Sequence, residues 1–406
     1  MSRRLRVLMV AYACDPEGGG EHWLGWGWAR EASRNHEVVL FTTPKAKAAL
    51  ERAAAECGIE LHCLEVPAWV KWLSGGPFSA SSWLRKYWWQ KVSLRLARKL
   101  HAMKPFDVVH KTTFHTFRIP FTCTKLGVPS VWGPVAGGES VPPGFERYLG
   151  QAAAGERTRN FLNRLNRRMP WVRDSLARAT TILVSNKTTM GFLPASVHGK
   201  CVLMSPNALR EEDVEAAPAI RKAGGVFEIL YVGNCAYTRA MPLVFEALAK
   251  GLPFEWHLRV VGSGAAVEFW KQEVERHGLG AQVEFTGNVQ RAALRDYYAD
   301  TSVLVFPGLR DSGGSALLEA MTLALPILTF KWGGPGEMVD GDSAVMVDVL
   351  TPAQTVADIH AGLCRLAAHP AEAQRLGLAA RERALTHFRW AAKWRVVEQI
   401  YLSFGK

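Results

Sequence analysis

Two carboxylates, Asp311 and Glu319, flank the run Asp311-Ser312-Gly313-Gly314-Ser315 and the start of the segment after it. A glycine-rich loop that opens a helix aims backbone N–H groups, and the helix's positive end, at an anion. Acids beside a phosphate repel it. Asp311 and Glu319 therefore suit the hydroxyls of a sugar or ribose that the phosphate carries. Their spacing around one loop does not suit hydrolysis, which needs two carboxylates set across a glycosidic bond. The elements that must position them are legible. Val303–Phe306 is a short apolar run closed by Pro307 and Gly308, and reads as a buried parallel strand. Ala316–Leu325 has helical apolar spacing and strong helix formers. Pro326 then precedes a second β-like run, Ile327–Phe330, followed by Lys331, Gly333-Gly334 and Glu337.

Other strands end on glycine in the same half of the chain. Phe227–Val232 runs into Gly233-Asn234, with Arg239 shortly after, and a guanidinium binds phosphate bidentately. His257–Gly264 ends in a turn containing Gly262, and Val283–Val289 follows as another strand and its exit. The N-terminal half starts in the same way. Leu5–Tyr12 reads as a strand, Gly18-Gly19-Gly20 as a turn, and Glu21 and His22 open a helix reaching about Asn35 before the strand His36–Thr42. The fingerprint G-x-G-x-x-G is absent there, which argues against a dinucleotide site. Further strands are expected at Phe106–His110 and Ala179–Ser185, and residues 353–386 read as helical.

The stretch from Asp311 to Glu337 resembles the donor site of family 4 glycosyltransferases. That family carries an acid, seven residues, a Glu, an Ala-Met helix, a proline-ended turn and a Gly-Gly…Glu loop. Asp311, Glu319, Ala320-Met321, Pro326, Gly333-Gly334 and Glu337 match; Asp311 replaces a usual Glu and Ala324 a usual Gly. A bacterial subset with Asp-Ser-Gly-Gly at this loop is similar also at His110, Thr113, Gly133, Pro134, Gly137, Gly138 and Glu139. The resemblance implies an α/β protein of the GT-B fold, with two Rossmann-like domains facing across a cleft. It implies a retaining transferase that takes a nucleotide-sugar as substrate and uses no metal or other cofactor. Glu319 then holds the ribose and Asp311 the donor sugar. Arg239, with the backbone of Ser312, Gly313, Gly314 and Ser315, faces the diphosphate. Gly233, Gly262, Val289, Lys331 and the loop Gly19-Gly20 complete the donor side. Glu21, His110, Gly137, Gly138 and Glu139 are the acceptor-side candidates. The family's Arg after the first glycine is Asn234 here, and the His that many members carry in the second loop is missing.

On this reading residues 1–207 form an N-terminal acceptor-side domain, 208–225 a linker and 226–387 the donor domain, with a last helix, 388–406, packing back on the first. The chain of 406 residues has seven cysteines, an odd number with no C-x-x-C pair, which points to reduced thiols in a cytoplasmic protein and away from zinc. Its charge is uneven. Residues 1–200 hold 29 Lys and Arg against 14 Asp and Glu, while 201–406 hold 20 against 23. The basic half calls for an anionic partner, which the charge alone leaves open between a membrane surface, such as the inner face of a membrane, a phosphorylated acceptor and nucleic acid; with the tryptophans it favours a lipid-linked or anionic glycan acceptor. Trp69, Trp72, Trp83, Trp88 and Trp89 lie among basic residues, and Leu84, Trp88, Val92, Leu96 and Leu100 make one helical apolar stripe. Seven arginines between Glu156 and Arg178 form either a cationic rim or a solvated helix face. No nucleic-acid module is recognisable. Cell-envelope or exopolysaccharide glycan synthesis fits these features. The alternatives are a catalytically weak GT-B binding or scaffold subunit, which Asn234 motivates, a transferase of a soluble small molecule, and a GT-B epimerase.

Overall fold

The computed structural model describes residues 3–73, 79–215, 218 and 225–404. The chain divides into two compact units. The first comprises residues 1–138, 161–208 and 390–406, and the second 139–160 and 209–389.

The first unit is built on a seven-stranded sheet of β1 (Arg6–Ala11), β2 (Glu37–Thr42), β3 (Glu60–Cys63), β4 (Val108–Thr113), β5 (Ser130–Val135), β6 (Thr181–Val184) and β7 (Cys201–Leu203). The spatial order is β3-β2-β1-β4-β5-β6-β7, and the paired strands are parallel. Strand β1 shows why its sequence is an unbroken apolar run. Val7, Met9 and Ala11 enter a core shared with the helix Glu21–Ser33, whereas Leu8 and Val10 enter a second core on the other face. Both faces are covered, so alternation with polar residues is lost.

The helix Trp390–Ser403 belongs to this unit. Trp390 packs edge-on to Trp28 at 5.1 Å, and Gly27 has no room for a Cβ because that atom would overlap the Trp390 indole. Lys393, on the same helix, is buried and donates to the carbonyls of Ser205 and Asn207. The expected stripe on the helix Ser79–Met103 is rotated. Leu84, Trp88, Leu96 and Leu100 are only partly buried, and the inward row is Trp89, Ser93 and Ala97. The core accepts Ser93 because its hydroxyl bonds to the Trp89 carbonyl.

The second unit repeats the plan with β8 (Phe227–Val232), β9 (Trp256–Val261), β10 (Val283–Gly287), β11 (Val303–Phe306), β12 (Ile327–Phe330) and β13 (Val345–Val347). Their order is β10-β9-β8-β11-β12-β13, again with parallel pairs. Phe227, Ile229 and Tyr231 face one core, and Leu230 and Val232 the other. Two helices, Pro352–Ala368 and Pro370–His387, cover the region expected to be helical.

The first unit ends at residue 208, beside the expected boundary at 207, but it does not hold all of 1–207. Residues 139–160 pack with the second unit, through Phe145 and Tyr148 in its core and an Nε1–H···O bond from Trp332 to Ser140 at 3.2 Å. Residues 209–389 also belong there, where the Leu209 N–H bonds to the Phe388 carbonyl at 2.8 Å; of the expected linker 208–225, residues 216–217 and 219–224 lie outside the described residues.

Candidate functional site

In each sheet the strand order reverses beside the first strand, between β1 and β4 and between β8 and β11. Open parallel sheets bind ligands outside the carboxyl ends of the strands at such a point. In the second unit this edge gathers Gly233-Asn234 after β8, Gly262 after β9, Val289 after β10, Asp311–Ser315 after β11 and Lys331–Glu337 after β12.

Glycine sets how closely these loops approach. Gly333, at φ +58°, would place a Cβ 2.7 Å from the Asp311 carbonyl oxygen, and a Cβ on Gly334 would overlap the Ser312 carbonyl. The Gly334 N–H bonds to the Asp311 carbonyl at 2.9 Å. The two glycine-rich loops are thus pressed together, backbone against backbone. Behind them, Gly262 at φ +139° packs on the Gly233 carbonyl with no space for a side chain. The helix Ser315–Thr322 starts directly from the acid-bearing loop, with Gly314 at its N-cap.

The charged side chains occupy this frame in a definite pattern. Arg239 and Asp311 form an ion pair, each 17% exposed, and the guanidinium lies 4.6 Å from the centre of the Phe306 ring. Asp311 also accepts the Gly313 N–H at 3.3 Å. Burial pushes the Asp311 pKa up, Arg239 pulls against that, and the Glu139 charge adds to the rise. Glu139 therefore stands near Asp311. It is itself buried at 4% exposure, and its carbonyl accepts from Arg159 at 2.9 Å. The next residue before Asp311, Arg310, pairs with the buried Glu156 at 3.1 Å. Glu319 is half-buried and accepts the Tyr298 hydroxyl at 3.0 Å. Tyr298, Glu156 and the Trp332–Ser140 bond have no sequence signal, because each partner lies on a distant element. Asn234 is exposed, and its carbonyl accepts the Tyr231 hydroxyl at 2.9 Å. Lys331 is 61% exposed and pairs with Asp348 at 3.6 Å, so it does not turn to the acid-bearing loop.

In the first unit the candidates separate. Gly19 and Gly20 are exposed at the mouth of the Glu21–Ser33 helix, with open space where a Cβ would stand. Glu21, the first residue of that helix, accepts the His115 N–H at 2.6 Å. Gly137 and Gly138 are packing glycines. The Gly137 carbonyl accepts from Asn163 at 3.0 Å, and a Cβ on Gly138 would stand 2.8 Å from Phe192 Cβ. His110 is a core residue rather than an acceptor contact. It is fully buried, its Nε2 lies 3.0 Å from the Gly133 carbonyl, and its Nδ1 lies 2.6 Å from the Tyr401 hydroxyl. A carbonyl only accepts, so Nε2 carries the proton and Tyr401 donates to Nδ1. Burial lowers the His110 pKa to about 4. Among the described residues no group of three or more His, Cys, Asp and Glu is arranged to hold a metal ion. No helix of the described residues is long and apolar enough to cross a membrane.

Residues 214–383 match the family model described as glycosyl transferases group 1. A glycogen synthase of Mycobacterium tuberculosis is 26% identical over 188 residues, which is 46% of this chain and 44% of that protein. The D-inositol 3-phosphate glycosyltransferase of Streptomyces bingchenggensis is 29% identical over 173 residues, 40% of this chain and 37% of its own. The matches thus span less than half the length of these relatives. Anabaena HepE, solved with UDP, superposes with a TM-score of 0.63 at 14% identity, covering 98% of this chain and 99% of its own. The family match is confined to residues 214–383, and the α/β fold of the chain is the GT-B class of two Rossmann-like domains.

Proposed function

We propose that this chain is a retaining glycosyltransferase that moves a sugar from a nucleotide-sugar to a hydroxyl acceptor. The observation that carries the reading is the Arg239–Asp311 ion pair at the switch point of the second sheet, on a loop pressed against the Gly333-Gly334 loop, with Glu319 on the helix that this loop opens. In this reading Glu319, held by Tyr298, accepts the ribose hydroxyls, and Asp311, with Glu139 beside it, takes hydroxyls of the donor sugar. Arg239 moves from Asp311 to the diphosphate as it departs. With the amide groups of Ser312–Ser315, it meets the negative charge that grows there, where fixed donors act most strongly. These groups supply the leaving-group stabilisation without a metal.

Anabaena HepE was also solved with UDP-glucose, which makes a uridine donor the first to try. The basic first half favours a lipid-linked or anionic glycan acceptor, as in envelope or exopolysaccharide assembly on the inner face of a membrane. Calorimetric titration with UDP, GDP, ADP and dTDP tests the reading. One diphosphate should bind, and Glu319→Gln should weaken it; binding of none refutes the donor site. Asn234, standing where similar enzymes carry Arg, favours a second reading as a weakly catalytic binding subunit. Nucleotide binding without turnover of the matching nucleotide-sugar on membrane extracts would select it.

A further inference from the structure

The helix Ala153–Arg168 is inside out. Its buried residues are polar: Glu156 at 8% exposure and Asn163 at 3%, the latter bonded to Arg118 and to the Gly137 carbonyl. Its solvent side carries Phe161 at 65%, Leu162 at 46% and Leu165 at 42%. A helix of a water-soluble domain does the reverse, burying its apolar stripe. The turn at its end leads to Trp171, which is 37% exposed and lies 6.1 Å from Tyr87 and 6.4 Å from Trp83. Tyr87 and Trp83 stack on each other at 5.4 Å, and Trp88 of the same helix meets Trp69, which with Trp72 is also exposed. Isolated surface apolar residues need no explanation, but three exposed apolar side chains on one polar-cored helix, followed by a clustered set of aromatic rings, do.

The exposed charges along this helix and at its end are mainly basic. Arg157, Arg164, Arg168 and Arg173 are exposed, while Asp174 is already paired with Lys125 and Arg178. A cavity of about 460 Å³ opens at the end of the helix, lined by Arg167, Arg168, Arg173 and His198. Long arginine stems lie along apolar surface and carry their heads to the level of a phosphate. Amphipathic helices that lie in a bilayer interface combine an apolar face with Lys and Arg in this way.

We infer that this face docks on a bilayer leaflet bearing an anionic phospholipid. Phe161, Leu162, Leu165 and Trp171 enter the acyl boundary, and the arginine-lined cavity takes a lipid phosphate. A second copy of the chain is a poor occupant, because the two faces would bring their arginines together. The inference does not use the donor site, so the two readings fail separately.

The test is co-sedimentation of the whole protein with phosphatidylcholine vesicles, with and without phosphatidylglycerol, followed also by tryptophan emission. Binding and a blue shift are expected only with phosphatidylglycerol. The pairs Phe161→Ser with Leu165→Ser, and Arg168→Glu with Arg173→Glu, should each lower partitioning roughly ten-fold or more, with melting curves unchanged because all four residues are exposed. No binding to either vesicle overturns the inference. Binding that survives Phe161→Ser with Leu165→Ser overturns it too, as adsorption by charge alone. A dimer in light scattering that the same serine pair dissociates overturns it in favour of a second copy.

Discussion

Replacing Asp311 by Asn separates two jobs that the proposed function gives to one ion pair. Asn keeps the shape and can still accept the Gly313 N–H, but leaves the Arg239 guanidinium without its counter-charge. Removing one member of a buried pair costs about 3–5 kcal/mol. Here each partner is 17% exposed and Arg239 keeps its place over the Phe306 ring, so about 2–3 kcal/mol is the expected loss. For a unit of this size that lowers its melting temperature by about 5–10 °C. Binding should change in the opposite sense. In the wild type a nucleoside diphosphate must draw Arg239 away from Asp311, whereas in the variant the guanidinium is already free. A charge-assisted bond is worth about 1.5–3 kcal/mol, so the diphosphate should bind roughly ten- to hundred-fold tighter and restore part of the lost stability. Turnover should fall, because the acceptor for the sugar hydroxyls is weakened. Calorimetry and melting curves with and without diphosphate, on Asp311→Asn, Arg239→Gln and the double variant, form a complete cycle. A variant that melts with the wild type and binds the diphosphate no better would refute the coupling.

Three further outcomes follow from single contacts. Tyr298→Phe removes the bond to Glu319 and should weaken ribonucleotide binding by about 0.5–1.5 kcal/mol, while leaving a 2′,3′-dideoxy analogue unaffected; equal losses on both would mark Tyr298 as structural only. Gly27→Ala forces a methyl into the Trp390 ring, and should cost about 1–3 kcal/mol and loosen the Trp390–Ser403 helix, read by hydrogen exchange. Lys111 and Lys393 are buried, with pKa values lowered to about 7 by burial. The unfolded chain keeps those protons up to about 10.4, so it binds more protons than the folded one above pH 7 and stability rises with pH there. Melting temperature should therefore climb from pH 7 to about 8.5, where unfolded thiols begin to ionise and oppose it, and Lys393→Met should flatten the climb.

The order of strand, glycine loop, helix and strand from Val303 to Phe330 is readable because its signals are local. Apolar runs such as Val303–Phe306 stop at proline or glycine, and the doubled glycines at 313–314 and 333–334 mark backbone that must come close to something. What they come close to is each other, which a linear pattern cannot state. The same limit hid the pairing of Arg239 with Asp311, 72 residues apart, and the Tyr298 bond to Glu319. Histidine at 110 matched a motif and ended a strand, yet strand β4 runs on to Thr113 and takes the ring into the core. A motif residue inside a parallel strand has both faces covered, so its default place is packing.

The passage of residues 139–160 into the second unit has the widest consequence for the site. No composition change marks it; Gly137-Gly138-Glu139-Ser140 is one short run, and its first two residues pack with the first unit while the last two pack with the second. Glu139 and Glu156 are buried carboxylates carried on this segment, and both lie beside the Asp311 loop, one acting on Asp311 and one bound to Arg310. Burial of two acids next to a third is costly unless cations answer them, and Arg159, Arg239 and Arg310 are the cations present. The acid-bearing loop is thus held in a balance of charges supplied by both halves of the sequence. Glu139→Gln takes one negative charge out of that balance. The Asp311 pKa should then fall, since the Glu139 charge raises it, and the acid limb of the rate–pH profile should move to lower pH if Asp311 works as a carboxylate. An acid limb that stays in place, with the folded state intact, would remove Asp311 from the chemistry and leave it a structural partner of Arg239.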